Sequence, residues 1–178
     1  RLNRFLRQVC QEAITPIPIT HLSDKTIVID ANVYLYRFKG EGNLAAGLYQ
    51  MLAMLNLSHI KSIFVFDGQA PIEKREEIRE RAQRKRKASV ELEKLSTEID
   101  GDSDISRKLR NRMAHLRRES VRLTGQDYTL SLKLIEIMGG SVLRASGEAD
   151  GVCASLVHSG LAYACISEDT DLFAHGCP

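Results

Sequence analysis

The chain has no tryptophan, only 6% aromatic residues and four prolines among its 178 residues. No apolar run is long enough to span a membrane, and no signal peptide precedes the first charged residues. The sequence therefore reads as an intracellular protein with no membrane association. Its four cysteines (Cys10, Cys153, Cys165 and Cys177) form no CxxC pair, which points to four reduced thiols. His175 near Cys177 offers two soft ligands without partners, too few for a zinc site. A Gly-rich phosphate loop is missing, and no Ser/His/Asp set stands in register for nucleophilic catalysis. What remains to carry chemistry is carboxylate.

The carboxylates gather in Val142 to Phe173, where Glu148/Asp150 and Asp169/Asp171 each have one residue between their acids. Residues i and i+2 of a strand share a face, so Asp169 and Asp171 are expected to aim together off the end of AYACIS. The other pair lies where Ser146 can cap a new helix, whose first N–H groups tolerate negative charge. Either pair alone could be helix caps and solvated loop acids. Four acids brought together repel one another unless a cation lies between them, and oxygen-only clusters suit Mg²⁺ or Mn²⁺.

Upstream, Leu2 to Ile14 carries apolar residues on one helical face, and Pro16 and Pro18 end that helix. Thr26–Ile29 is a short run of the buried parallel-strand type that delivers Asp30 at its carboxyl end, followed by Asn32, Tyr34 and Tyr36. After an apolar-rich helix from Leu44 to Leu57, KSIFVFDG repeats the pattern: the strand Ile63–Phe66 ends in Asp67 and a glycine. Two such strands in a parallel sheet place both acids on one rim, giving a six-carboxylate cluster of Asp30, Asp67, Glu148, Asp150, Asp169 and Asp171. SVLRA reads as a third strand, Glu148 to Ser159 as a helix stopped by Gly160, and AYACIS as a fourth strand. The fold class is α/β, a parallel sheet flanked by helices.

Between the halves of that sheet lies a highly charged segment, residues 73–122. It holds 16 Lys/Arg against 11 Asp/Glu, while the rest of the chain is net acidic. The first part, IEKREEIRERAQRKRKASVELEKL, has i,i+4 pairs such as Glu77–Arg81 and few apolar positions before Val90. It should project from the body rather than lie on the core. The tip, Thr97 to Ser106, resembles the start of a calcium loop, but its glycine is misplaced and Asn111 stands where a Glu is required. A second basic helix returns, so the segment reads as a helical arch or cap inserted in one domain spanning 1–178. Thr124 then caps the helix that follows. Lys74 and Arg81, two turns apart, share a face and could bring positive charge over the acids. A basic part beside an acidic one fits a protein that grips a polyanion and holds cations. Carboxylates with no other catalytic set point to metal-assisted hydrolysis, with two ions about 3.5–4 Å apart activating a water against a phosphodiester.

The segments IVIDANVYLYRF, FVFDGQAPIEKREEIRERAQRKR and ASGEADGVCASLVHSGLAYACISEDTDLF resemble the flap endonuclease family of structure-specific 5′ nucleases, XPG-type proteins with a PIN-like domain. The resemblance runs in order along the chain and is weakest through the arch tip. It implies that all six acids are metal ligands, direct or through water, for two Mg²⁺ ions that Mn²⁺ could replace. It implies that Lys74 and Arg81 contact the scissile phosphate and that Tyr36 stacks on a nucleotide near the scissile bond. By the same resemblance Arg84, Arg118, Arg122 and Thr124 contact substrate backbone. The implied activity is cleavage at 5′-flap junctions and 5′–3′ exonuclease action in replication and repair, on DNA with a 5′ flap or single-stranded 5′ end. The implied location is the nucleus of a eukaryotic cell, or the host cytoplasm or nucleus for a viral protein.

The sequence departs from the family at Asp150, where many members have Glu, a shorter reach that would leave a water between acid and metal. Met-Gly at the start, a seventh carboxylate, the potassium-binding helix-turn-helix that grips duplex DNA and a sliding-clamp peptide are not among these residues. The expectation is therefore a fragment or a short member lacking the carboxyl-terminal duplex-binding region. Two other readings stay open: a PIN-like ribonuclease using the same acids on RNA, and a nucleic-acid-binding module that is catalytically silent at this length.

Overall fold

The computed structural model of the chain describes residues 5, 8–69, 74–98 and 107–177. Its centre is a four-stranded parallel sheet in the order β3-β2-β1-β4, with β1 at Thr26–Asp30, β2 at Lys61–Phe66, β3 at Ser141–Arg144 and β4 at Ala164–Ile166. β1 and β2 are short runs of Ile, Val and Phe because both of their faces are covered. Alternation along β1 sends Ile27 and Ile29 to one face and Val28 to the other, and all three are fully buried.

The first face is covered by α1 (Ala31–Gly40), α2 (Leu44–Leu57) and α5 (Gly125–Ile137), whose Leu35, Leu48, Leu52, Leu55 and Ile135 pack on Ile27, Ile29, Phe64 and Phe66. Burying a side chain of this size contributes about 1.5–3 kcal/mol. The second face is covered by α6 (Ala149–His158) and the short α7 (Asp171–Ala174), through Cys153, Val157 and Leu172 against Val28 and Val65. Parallel crossovers are right-handed. Moving outward from β1 to β2 to β3 therefore lays helices on one face, and returning to β4 lays α6 on the other. The reversal leaves a crevice at the carboxyl ends of β1 and β4, where open α/β sheets bind ligands.

The charged segment forms two helices, α3 (Arg75–Glu98) and α4 (Arg107–Ser120), packed against each other. Their shared interior is small, with Ala88 and Leu116 as its buried residues, as expected for a helix whose outer faces are solvated. α4 also touches α1, which joins the pair to the body. Most of the predicted tip, residues 99–106, lies outside the described residues, as do the turn at Pro71 and much of the predicted helix between Leu2 and Ile14. Within that last span Phe5, Gln8 and Val9 are helical and Gln11–Ala13 forms a 3₁₀ turn.

Two local expectations are corrected. Asp169 and Asp171 do not share a strand face: β4 stops at Ile166, Asp169 lies in the following turn and Asp171 opens α7. They converge because the Asp171 N–H donates to Asp169 Oδ1 at 3.2 Å and the Asp169 N–H to Ser167 Oγ at 3.0 Å. Nor does Ser146 cap α6. The N-cap is Glu148, and the Ala149 N–H donates instead to Asp67 Oδ1 at 2.8 Å. Thr124 does cap α5, in a reciprocal box with Asp127.

Candidate active site

The site is built at the sheet's carboxyl rim. Asp30 ends β1 and caps α1, with Oδ1 accepting from the Val33 N–H at 3.5 Å and Oδ2 from Ser167 Oγ at 3.2 Å. It is 4% exposed. Burial first, then the charge of Asp150 and after it Asp67, pushes its carboxyl up from the usual 3.8 to about 6. Asp67 follows β2 and is fixed from both sides, by the Ala149 N–H at the positive end of α6 and by Asn32 Nδ2. Gly68 makes that arrangement possible. Its N–H donates to Gly147 O at 2.7 Å, and a Cβ there would come within 2.0 Å of Ala145 O.

Asp150, on the first turn of α6, is the hub. Burial raises its carboxyl, followed by the charges of Asp169, Asp171, Asp67 and Glu148 in that order. Asp150, Asp169 and Asp171 each bring a carboxylate oxygen within 4.8 Å of the others. Hence all six predicted acids stand in one electrostatic neighbourhood, three of them close enough to share an ion. The donors are oxygen only, crowded and like-charged, and the innermost is held toward its neutral form. A hard divalent cation such as Mg²⁺ fits that set.

Beside the acids runs a cleft of about 560 Å³. Lys74 and Arg81 both line it. The Lys74 ammonium donates to both Glu148 oxygens, at 2.7 and 2.8 Å, and that carboxylate raises the lysine above its ordinary value. Arg81 is paired with Glu77 at 2.7 Å along α3. Tyr36, 39% exposed, lines the same cleft. Burial and the charge of Asp67 raise its hydroxyl. Arg122 completes the wall. The other predicted contacts are elsewhere: Arg84 and Arg118 are exposed and outside the cleft lining, Arg118 lies against Gly40 of α1, and Thr124 is engaged in its cap.

Two residues of the cleft were not singled out from sequence. Lys85 lies one helical turn beyond Arg81, with its ammonium 4.3 Å above the Tyr36 ring. Burial, then Arg81 and Arg122, lowers its pKa. The i,i+4 spacing from Arg81 was the available signal. Asn32, 8% exposed, grips Asp67, and its Oδ1 has no hydrogen-bond partner. Nothing local marks it, since the contact spans 35 positions.

The fold and site define an α/β protein with a cluster of carboxylates at its sheet switch point and a basic, tyrosine-bearing cleft beside it. The XPG N-terminal domain model matches residues 1–88 and the XPG I-region model residues 139–178, and the chain belongs to the XPG family. It is 29% identical over 191 residues to Flap endonuclease 1 of Glossina morsitans morsitans, which covers 98% of this chain and 47% of the relative. It is 33% identical over 194 residues to Flap endonuclease 1 of Cryptosporidium muris, 99% of this chain and 39% of the relative. Among solved structures, the catalytic core of Rad2 in complex with DNA substrate superposes with a TM-score of 0.65 at 23% identity over 95% of this chain and 46% of that one. Flap endonuclease-1 from Methanococcus jannaschii gives 0.60 at 22% identity over 92% and 54%. The chain thus spans less than half the length of these curated relatives.

Proposed function

We propose that this chain carries the nuclease centre of a Mg²⁺-dependent, structure-specific 5′ nuclease that hydrolyses DNA phosphodiesters at 5′-flap junctions and acts as a 5′–3′ exonuclease. The observation that carries the reading is the junction of two opposite fields: six acids, five of them around Asp150, and Lys74, Arg81, Lys85 and Arg122 along the adjoining cleft. A phosphodiester lying between them meets cations on one side and an oxygen-ligand centre on the other. The names and DNA-bound state of the relatives support the same assignment.

Asp150, Asp169 and Asp171 would hold one ion, and Asp30, Asp67 and Glu148 would complete the centre, with Mn²⁺ a workable substitute. Bound there, the metal would supply Lewis-acid activation of water and neutralise charge on the leaving oxygen. The chain's own residues do the rest. Asn32 and the α6 amide hold Asp67 in one orientation. Lys74, now on Glu148, and Arg81, now on Glu77, can transfer to phosphate oxygens as the substrate arrives. The half-exposed Tyr36 ring offers a base a stacking face. Lys85 would have to leave that face for a base to occupy it. The arch read over 73–122 would border this cleft through Arg81 and Lys85 of α3.

The test is cleavage of an end-labelled 5′-flap duplex by the chain, with Mg²⁺ and with EDTA, beside the matching single strand and an RNA strand. The expected result is metal-dependent incision near the flap junction. Preference for RNA would replace the reading with a ribonuclease. Binding to DNA without incision on any substrate would mean that these residues alone do not complete the active site.

A further inference from the structure

Register pairs Ile27 with Ala164, Val28 with Cys165 and Ile29 with Ile166, so the next place along the two parallel strands sets Ser167 beside Asp30. Their side chains meet there: Ser167 Oγ donates to Asp30 Oδ2 at 3.2 Å. The same oxygen accepts the Asp169 N–H at 3.0 Å, and Asp169 Oδ1 in turn accepts the Asp171 N–H at 3.2 Å. Three hydrogen bonds thus run unbroken from the buried acid that ends β1 to the first residue of α7. Ser167 is half-buried, whereas Asp169 and Asp171 are exposed. The intervening Glu168 pairs with Arg37 of α1, where both side chains are about half exposed, and a surface pair of that kind fixes little.

We propose that Ser167 is a positioning residue of the acidic centre: its hydroxyl ties the turn that carries Asp169 and Asp171 to Asp30, and thereby sets the affinity for a divalent ion. A hydroxyl suits that post because it has one proton to give and lone pairs to receive. Its proton goes to Asp30 Oδ2 and a lone pair takes the Asp169 N–H. Alanine would leave both groups without a partner and untie the turn from β1.

The consequence for metal follows from which acids the turn carries. Asp169 and Asp171 supply two of the three carboxylate oxygens that lie within 4.8 Å of one another. The third comes from Asp150, which α6 holds from the other side of the rim. Loosening the turn therefore changes the spacing of two ligands against a third that stays where its helix puts it. Mg²⁺ tolerates little displacement of its ligands, and losing a group that orients a ligand typically weakens metal binding about 10–100-fold. The effect on metal rests on the carboxylate-centre reading above; the hold of Ser167 on the turn does not.

The test compares the full chain with Ser167→Ala and Ser167→Thr by two measurements. Amide hydrogen exchange, followed by nuclear magnetic resonance in EDTA, reports the turn, and calorimetric Mn²⁺ titration reports the centre. In Ser167→Ala the Asp169 amide should exchange about fivefold to tenfold faster, and the Mn²⁺ dissociation constant should rise about tenfold. Ser167→Thr, which keeps the hydroxyl, should stay within about twofold of the parent in both. Should Ser167→Ala fail to fold, Ser167→Cys, of similar size but a weak donor and acceptor, should give the same two shifts. Unchanged Asp169 exchange, faster exchange with unchanged Mn²⁺ affinity, or an equal loss in Ser167→Thr would each overturn the proposal. A parent chain that binds no Mn²⁺ would instead overturn the metal-centre reading, and with it the proposed effect on metal, while the exchange measurement still decides whether Ser167 holds the turn.

Discussion

Replacing Asp30 with asparagine should stabilise the metal-free protein while weakening its hold on metal. The carboxyl of Asp30 titrates at about 6 rather than the usual 3.8, chiefly because it is buried and secondarily because Asp150 and Asp67 are near. A raised carboxyl is a liability to the fold once charged. The penalty is absent below about pH 3.8, grows as the pH rises, and is complete above about 6. The distance from 3.8 to about 6 corresponds to about 3 kcal/mol at pH 7.5, falling to roughly half of that at pH 5. Asparagine keeps an oxygen for the Val33 N–H and can donate to Ser167 Oγ, so the cap survives the change. In EDTA at pH 7.5, Asp30→Asn should therefore gain about 1–3 kcal/mol, and the gain should shrink toward pH 5. With saturating Mg²⁺ the wild type should gain more than the variant. Because the chain has no tryptophan, urea unfolding is best followed by far-ultraviolet circular dichroism. A variant less stable than wild type in EDTA at pH 7.5, or a difference that does not change with pH, would refute the reasoning.

Other expectations concern the same rim. Asp171→Ala or Asp67→Ala should abolish cleavage of a flap substrate and leave DNA binding, measured by anisotropy in Ca²⁺, largely intact; cleavage retained in both would remove the carboxylate centre. Arg81→Ala should lower single-turnover cleavage by about 10²–10³ with little change in DNA affinity, and a pure affinity loss would contradict its assigned role. Gly68→Ala forces a Cβ toward Ala145 O. It should lower thermal stability by about 1–3 kcal/mol and weaken Mn²⁺ binding together; an unperturbed melting temperature would show that the strand end yields without cost.

How legible this was depends on the distance over which each contact acts. The parallel sheet and two of its acids could be read because TIVID and SIFVFD state burial and chain end within a few residues, and β1 and β2 lie where those runs place them. Thr124 as a helix cap was legible for the same reason: donor and acceptor are three residues apart, although its reciprocal box with Asp127 came only with the structure. The convergence of Asp169 with Asp171 was foreseen for the wrong cause, since alternation along a strand looks the same in sequence as a turn entering a helix. The support of Asp67 could not be read at all, because the amide that holds it lies 82 positions away. Arg84 was favoured over Lys85 although both are basic and adjacent. Only the rotation of α3 against Tyr36 separates them, and that rotation is set by packing against α4.

The placement of the charged hairpin between β2 and β3 has a consequence for how this chain can vary. β3 hydrogen-bonds directly to β2, and β4 to β1, so the sequence before the hairpin and the sequence after it are stitched to each other twice without its help. The hairpin's two feet meet the body at Lys74 and Arg122, both in the cleft wall. A chain cut between residues 98 and 107 would remain one particle with its acidic rim assembled. The span between the feet can therefore lengthen, shorten or change composition without any of the six acids moving, so reach over a substrate can evolve separately from the chemistry performed on it.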